Sequence, residues 1–313
     1  MQECFSTEVV DLDNQAPNRN KRESKYFWDE LNKWVTAGGF HSIEVPYEPK
    51  WDFGGRSGIP RTKRSAEVKF GSVAAYTEFL KDQGIKNVDC IHFNPSLFAQ
   101  GALPMYFGAA QHYGEEAIDY AKDSGCSVVS VSATPPYAKV KEMLGDSSEE
   151  EFLDQTEKMI RSLLVKAEEA QITLCLKNEY WTLLRGEKIT AFLDKFDGKV
   201  KLDLDTANLV IAGADIKKVI EDNKDRIGIV HYTDTAFKDE METWKSAIPE
   251  FPAGKATKVF TDIGEGNVDL DAVTETLKRS GYEGTVVFNP KNSYDICRSI
   301  LRTRHFINSH KVR

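Results

Sequence analysis

Short β-branched runs alternate with helix-periodic segments along most of this chain, and that rhythm constrains its fold more than any other feature. It is clearest in the last two thirds. Strands are expected at Cys126 to Ser132, Ile172 to Lys177, Val200 to Asp205, Ile227 to Tyr232 and Thr285 to Asn289. Helices are expected from about Ser148 to Glu169, Gly186 to Phe196, Ile216 to Asp222, Leu270 to Arg279 and Asp295 to Phe306, with Ser147 or Ser148 as the N-cap of the first. The first third predicts strands at about Cys4 to Val10, His41 to Val45 and Val88 to Phe93. Its helices are expected over Tyr26 to Thr36, Val73 to Gln83 and Gly114 to Lys122. Strict alternation implies a parallel sheet, and about eight repeats close most naturally into a (β/α)8 TIM barrel spanning residues 1–313 as one domain. A doubly wound open sheet is the alternative, disfavoured because no GxGxxG follows the first strand.

Active sites of such barrels lie at the carboxyl ends of the strands. Those ends carry Glu44, His92, Ser130, Ser132, Lys177, Glu179, Asp203, Asp205, His231 and Asn289. Side chains alternate along a strand. Lys177 and Glu179 thus share one side, as do Asp203 and Asp205, while Leu174, Leu176, Leu202 and Leu204 face the helices. Polar groups converging from several strands are costly unless they pair or serve a ligand, so a functional pocket is the favoured reading over a structural polar network.

At the same strand ends the chain resembles the sugar phosphate isomerase/epimerase family of xylose isomerase-like barrels. Lys201-Leu-Asp-Leu-Asp-Thr-Ala-Asn208 resembles that family's LDTGH strand six, and Asp225-Arg-Ile-Gly-Ile-Val-His-Tyr-Thr-Asp234 its DRIxHVHxKD strand seven. Asp262-Ile-Gly-Glu-Gly-Asn-Val-Asp269 is similar to GxGxID, Gly281-Tyr-Glu-Gly-Thr285 to GYxG, and Ala37-Gly-Gly-Phe-His-Ser-Ile-Glu44 to AGFxxxE with one extra glycine. The first 25 residues are outside the resemblance. It implies an enzyme that abstracts a proton next to the carbonyl of a sugar, cyclitol or related polyhydroxy compound, giving isomerisation, epimerisation or β-elimination. It also implies a divalent metal held by Glu, Asp, His and Glu on strands five to eight. Those positions fall on Lys177, Asp205, His231 and Asn289, so only the Asp and the His are kept.

A protonated lysine offers a metal no lone pair. The favoured reading therefore has no cofactor, with the Lys177 ammonium standing where the dication would be and polarising a substrate oxygen. The alternative is a weak Mn, Mg or Zn site of Glu179, Asp205, His231 and Asn289. The expected catalytic residues are Lys177, Glu179 and His231. Glu44, His92, Asp203, Asp205, Asn208 and Asn289 are the expected substrate contacts. Lys177 as a Schiff-base nucleophile is disfavoured by its acidic neighbours. Trp51, Phe53 and Trp181 follow strand ends and could stack on a sugar face. Arg56 to Lys69 is a basic stretch that reads as a solvated loop. A long loop at about 235–262, carrying Phe237, Trp244, Phe251 and two prolines, reads as a lid.

Composition narrows the alternatives. A net charge of −8 argues against a nucleic-acid binder, including the abasic-site endonucleases that share this barrel and need several His ligands; the chain has six His in all. No apolar run approaches the roughly 20 residues of a membrane span. The N-terminus has no secretory pattern, and five cysteines without a CxxC suit a reducing cytosol. The partners expected are a small carbohydrate-like substrate, no nucleic acid, no membrane, and a homo-oligomer of the kind the family forms. The competing functional class is a catalytically degenerate barrel acting as a carbohydrate-binding or auxiliary subunit.

Overall fold

Eight parallel strands close on themselves: β1 (Gln2–Ser6), β2 (Ser42–Tyr47), β3 (Asn87–Phe93), β4 (Val128–Ser132), β5 (Thr173–Lys177), β6 (Lys201–Asp205), β7 (Ile227–Tyr232) and β8 (Thr285–Phe288). The structure is a computed structural model that describes residues 1–12, 24–52, 58–251 and 258–310. Each strand pairs with its sequence neighbours, and β1 closes the ring against β8 with Phe5 opposite Phe288. The open-sheet alternative is thereby excluded.

Alternation along the strands sorts the side chains. Ile43, Val45, Ile91, Phe93, Leu174, Leu176, Leu202, Leu204, Val230 and Phe288 point outward into the main core beneath the helices. Inside the barrel, Cys4, Cys90, Cys175, Ile229 and Val287 form a separate apolar floor. The three floor thiols are unpaired and fully buried, and burial pushes each of them well above the usual thiol range.

The helices follow from local chemistry. Ser148 caps Glu149–Ala170 with a reciprocal box: its hydroxyl accepts from the Glu151 amide at 3.1 Å, and the Glu151 carboxylate accepts from the Ser148 amide at 3.0 Å. Phe152, Met159, Ile160, Leu163 and Ala167 line its buried face. It packs on Leu103–Ser124 at Gly114, where an added Cβ would lie 2.8 Å from a Leu163 methyl, so a larger residue there would force that side chain to shift. Fully burying a leucine such as Leu163 contributes about 2 kcal/mol.

Two expectations are corrected in a way that matters for the site. The first strand ends at Ser6, and Thr7–Val9 is a single 3-10 turn rather than more strand. The turn carries Glu8 over the barrel mouth. The helix before β4 begins at Leu103, a full three turns earlier than Gly114; Pro104 near its start suits a first-turn position.

The long loop after β7 is tied at its base. Asp234–Thr235 and Phe260–Thr261 form a two-stranded antiparallel ladder. The Asp234 carboxylate accepts from the amides of Thr235, Gly264, Gly266 and Val268 at 2.8–3.2 Å. A Cβ on Gly266 would collide with that carboxylate, so the aspartate after strand seven and the glycine-rich turn form one interlocked unit.

Candidate active site

Directly above the apolar floor lies a closed group centred on His231. Its Nδ1 bonds Asp203 Oδ1 at 2.6 Å and its Nε2 bonds Glu44 Oε2 at 2.5 Å. Ser6 Oγ donates to Glu44 Oε1 at 2.6 Å, and Ser130 Oγ donates to the second Asp203 oxygen. All five residues have essentially no solvent exposure. Burial disfavours the imidazolium, but Asp203 and Glu44 outweigh it and raise the His231 pKa to about 10. Burial likewise pushes Glu44 up, yet the charge of His231 holds its carboxyl down at about 2. The group is therefore an imidazolium clamped between two carboxylates at neutral pH.

Above it the pattern changes. Lys177, at the end of β5, is 3% exposed, and its Nζ has no hydrogen-bond partner among the described residues. The nearest carboxylate oxygen is Asp205 Oδ2 at 3.6 Å. Burial opposes its charge, but Asp203 and Asp205, then Glu8 and Glu44, outweigh it and keep the ammonium protonated. Glu179 is 1% exposed, and neither carboxylate oxygen accepts a hydrogen bond. Burial raises its pKa, only partly offset by Lys291, His92, Lys177 and the nearby Ser132 hydroxyl. Asn289 Oδ1 is also unpaired, while its Nδ2 donates to Glu8 Oε2 at 2.7 Å. Buried polar atoms without partners are rare and costly, and here they cluster at one barrel mouth.

The segment that presents Glu179 is fixed by asparagines. Asn178 imitates a strand partner: its Oδ1 accepts from the Asp205 amide at 2.7 Å and its Nδ2 donates to the Asp205 carbonyl at 3.0 Å. Asn208 Oδ1 accepts from the Tyr180 amide at 3.0 Å. Asp205 Oδ1 caps the following turn through the Asn208 amide at 3.1 Å and also accepts from Thr233 Oγ1.

Beside this group opens a cleft of about 320 Å³, lined by Glu8, Tyr47, Arg61, His92, Glu250 and Lys291 among others. His92 bonds Glu8 Oε1 through Nδ1 at 2.9 Å and Ser132 Oγ through Nε2 at 3.2 Å. Lys291 pairs with Glu250 at 2.7 Å, over the rings of Trp181 and Phe260. Tyr180 Oη donates to the Pro249 carbonyl at 2.6 Å, tying the long loop down across the mouth.

The structure brings Lys177, Glu179, His92, Asp205 and Asn289 together at the mouth and sets Glu44, Asp203 and His231 below them. Asn208 supports the backbone. Trp51 is buried and bonds Glu48 at 3.1 Å, and Trp181 is buried against Phe260, so neither presents a free face. Phe53 and Arg56 lie outside the described residues. Sequence reasoning missed Glu8, Lys291 and Glu250. Glu8 was concealed in what read as strand, and no spacing pattern ties the other two to the mouth.

The residues present do not fit the divalent metal of the resembled family. Both nitrogens of His231 are committed to carboxylates, and an ammonium sits beside Asp205. Among the described residues, no three His, Cys, Asp or Glu are arranged to hold an ion. No described helix is long and apolar enough to cross a membrane.

A family described as xylose isomerase-like TIM barrel matches residues 33–305. An inosose dehydratase of Lacticaseibacillus casei is 31% identical over 107 residues, covering 33% of this chain and 36% of that protein. The chain thus matches only about a third of the length of that curated relative. Among solved structures, the probable 3-DHS dehydratase AsbF of Bacillus anthracis, involved in petrobactin synthesis, superposes with a TM-score of 0.70 at 14% identity, covering 98% of this chain and 99% of that one. The IolI protein with a bound zinc atom superposes with a TM-score of 0.67 at 17% identity, covering 100% and 99%. At such identities these two support the fold.

Proposed function

The chain belongs to the xylose isomerase-like TIM-barrel family, and on that premise we propose that it is an enzyme acting on a sugar, cyclitol or related polyhydroxy ketone. The reaction is proton abstraction next to the carbonyl, leading to isomerisation, epimerisation or loss of water. One observation carries this reading: Lys177 Nζ, both Glu179 oxygens and Asn289 Oδ1 are all buried and all lack a hydrogen bond within 3.5 Å at one barrel mouth. A polyhydroxy ketone supplies the acceptors and donors these atoms lack.

Each residue has a role. Glu179, whose burial raises its basicity, takes the carbon-bound proton; a positioned general base contributes about 10²–10⁴-fold. The Lys177 ammonium faces the oxygen on which negative charge develops, in a site dry enough to make one such donor worth about 10²–10³-fold. Its pKa is raised, which suits a permanent cation and not a Schiff-base nucleophile. Asn289 Oδ1 accepts a substrate hydroxyl. His231 holds Glu44 and Asp203 in place beneath Lys177 and does not move a proton itself. Lys177 and Glu179 are sealed from solvent, so the described parts of the loop at about 235–262, residues 235–251 and 258–262, open as a lid to admit substrate. A reducing cytosol suits the unpaired thiols.

The test is solvent-deuterium exchange into the carbon next to the carbonyl, on a panel of keto-sugars and keto-cyclitols, with protein treated with a chelator. Exchange should survive chelation and fall at least 100-fold in Lys177→Met. Elemental analysis finding one tightly held divalent ion per chain, with activity lost on its removal, would overturn the lysine's role. Absence of exchange on the whole panel would favour the binding-module reading, for which the sealed site is the supporting feature.

A further inference from the structure

The mouth contains a second proton-transfer group, unlike the first. Ser132, His92 and Glu8 form a continuous line: Ser132 Oγ to His92 Nε2 at 3.2 Å, then His92 Nδ1 to Glu8 Oε1 at 2.9 Å. Asn289 Nδ2 holds the far oxygen of Glu8 at 2.7 Å. Burial would raise the Glu8 carboxyl, but Lys291 and His92 outweigh it and hold it well below the usual carboxylate range. Glu8 is therefore an ionised acceptor that orients the imidazole, in the manner of a carboxylate behind a catalytic histidine. Ser132 lies opposite Lys177 in the β4–β5 ladder, and its hydroxyl is near enough to Glu179 to lower the pKa of that carboxyl. One end of the line thus reaches the Lys177–Glu179 pair, and the other borders the cleft.

The two groups differ in chemistry. An epimerisation that moves a proton from one face of a carbon to the other is served by two comparable bases. Here one group is a buried carboxylate whose pKa burial raises, and the other is an imidazole whose outer nitrogen is bonded to a hydroxyl. A hydroxyl bonded to an imidazole that an ionised carboxylate holds in place can pass a proton to a departing oxygen.

We propose that Ser132, His92 and Glu8 are an acid relay for a leaving hydroxyl, so that the reaction is elimination of water from a β-hydroxy ketone of the sugar or cyclitol class. The inference rests on the proposed function above. Glu179 takes the proton from the carbon next to the carbonyl, and the electron pair of that C–H bond passes through the enolate beside Lys177. The pair forms the new C=C bond as the neighbouring C–O bond breaks with its electrons on oxygen. That oxygen takes the Ser132 proton, Ser132 regains one from His92 Nε2, and water leaves. The net change is ketone to enone plus water, with no oxidation or reduction. Glu179 ends one proton richer and His92 one proton poorer, and one proton returned from the first to the second resets both. Ser132 touches the leaving group, His92 recharges it, and Glu8 is a positioning residue.

Two readouts on one keto-cyclitol separate the steps: deuterium wash-in at the carbon next to the carbonyl, and enone absorbance. In Ser132→Ala and His92→Asn, enone formation should fall about 100-fold or more and at least about ten-fold further than wash-in, which also changes because both residues lower the Glu179 pKa. Glu8→Gln should slow enone formation about ten-fold in kcat with KM little changed, because the amide holds the imidazole less firmly than the carboxylate does. The small Ser132→Ala change keeps the result readable if His92→Asn does not fold. Parallel loss of both signals in Ser132→Ala, or loss of neither, overturns the relay. Wild-type wash-in with an epimerised product and no enone overturns the relay and leaves the proposed function standing. No wash-in by the wild type on any keto-sugar or keto-cyclitol overturns both.

Discussion

Two polar groups occupy the same barrel, one above the other, and they are built to opposite rules. In the lower group, both nitrogens of His231, both oxygens of Asp203 and both oxygens of Glu44 are bonded. In the upper group, Lys177 Nζ and both oxygens of Glu179 lack a hydrogen bond within 3.5 Å, and Lys177 meets only Asp205 at 3.6 Å. Both groups are equally dry, so burial does not distinguish them. Satisfaction does. A closed network of charges rigidifies a core, and breaking it leaves uncompensated charge. An open set is unfavourable until a ligand completes it, and so marks where a ligand belongs. Under the proposed function, the lower group therefore serves stability and the upper group chemistry.

Breaking each group in turn tests that division. The largest effect is expected from His231→Ala, which strands Glu44 and Asp203 as buried, unneutralised carboxylates. It should destabilise the fold by about 3–5 kcal/mol in urea unfolding; a loss under about 1 kcal/mol would mean the clamp is not structural. Glu179→Gln should do the reverse. Turnover should fall about 10²–10⁴-fold, while the unfolding midpoint stays within an equivalent of about 1 kcal/mol of the wild type. A matching loss of stability would erase the contrast between the groups.

The pH dependence of unfolding sharpens the comparison. The folded pKa of His231, about 10, lies above the unfolded value of 6.5. Its contribution is complete below 6.5 and is lost as pH rises through about 10. Glu44 is depressed from 4.5 to about 2, so its contribution is present above 4.5 and disappears as pH falls through about 2. Glu179 is raised, so its neutral form favours the fold below 4.5 and that advantage is lost on the way up. Two carboxyls of the same barrel should thus show opposite signs in NMR titration of the folded protein. Finding Glu44 and Glu179 shifted in the same direction would contradict the assignment.

The smallest effect concerns the lid. Tyr180→Phe removes the bond to the Pro249 carbonyl, worth about 1 kcal/mol. KM should rise several-fold with kcat nearly unchanged. Unaltered kinetics would argue that the loop does not gate the mouth.

Much of this was legible in the residues themselves. The period-two pattern of Leu174, Leu176, Leu202 and Leu204 required Lys177, Asp203 and Asp205 to face inward, and they do. Ser147 or Ser148 is expected to cap the helix that follows, and Ser148 does. Glu8 was not legible, because an apolar run around it reads as strand until the chain turns at Thr7. His231 was visible as a strand-end histidine, but its partner Glu44 lies 187 residues away. Linear spacing therefore could not show that both of its nitrogens were taken.

What the chain determined alone was the architecture and the inward-facing cast. Hydrophobic periodicity is a local property, and eight copies of one pattern leave few ways to bury their faces. Which inward groups meet, and which are left without partners, was decided only when the ring closed and β1 met β8. Hydrogen bonds act over about 3 Å, while the residues they join here are separated by tens to hundreds of positions. The distinction between a satisfied clamp and an open site therefore exists only in three dimensions.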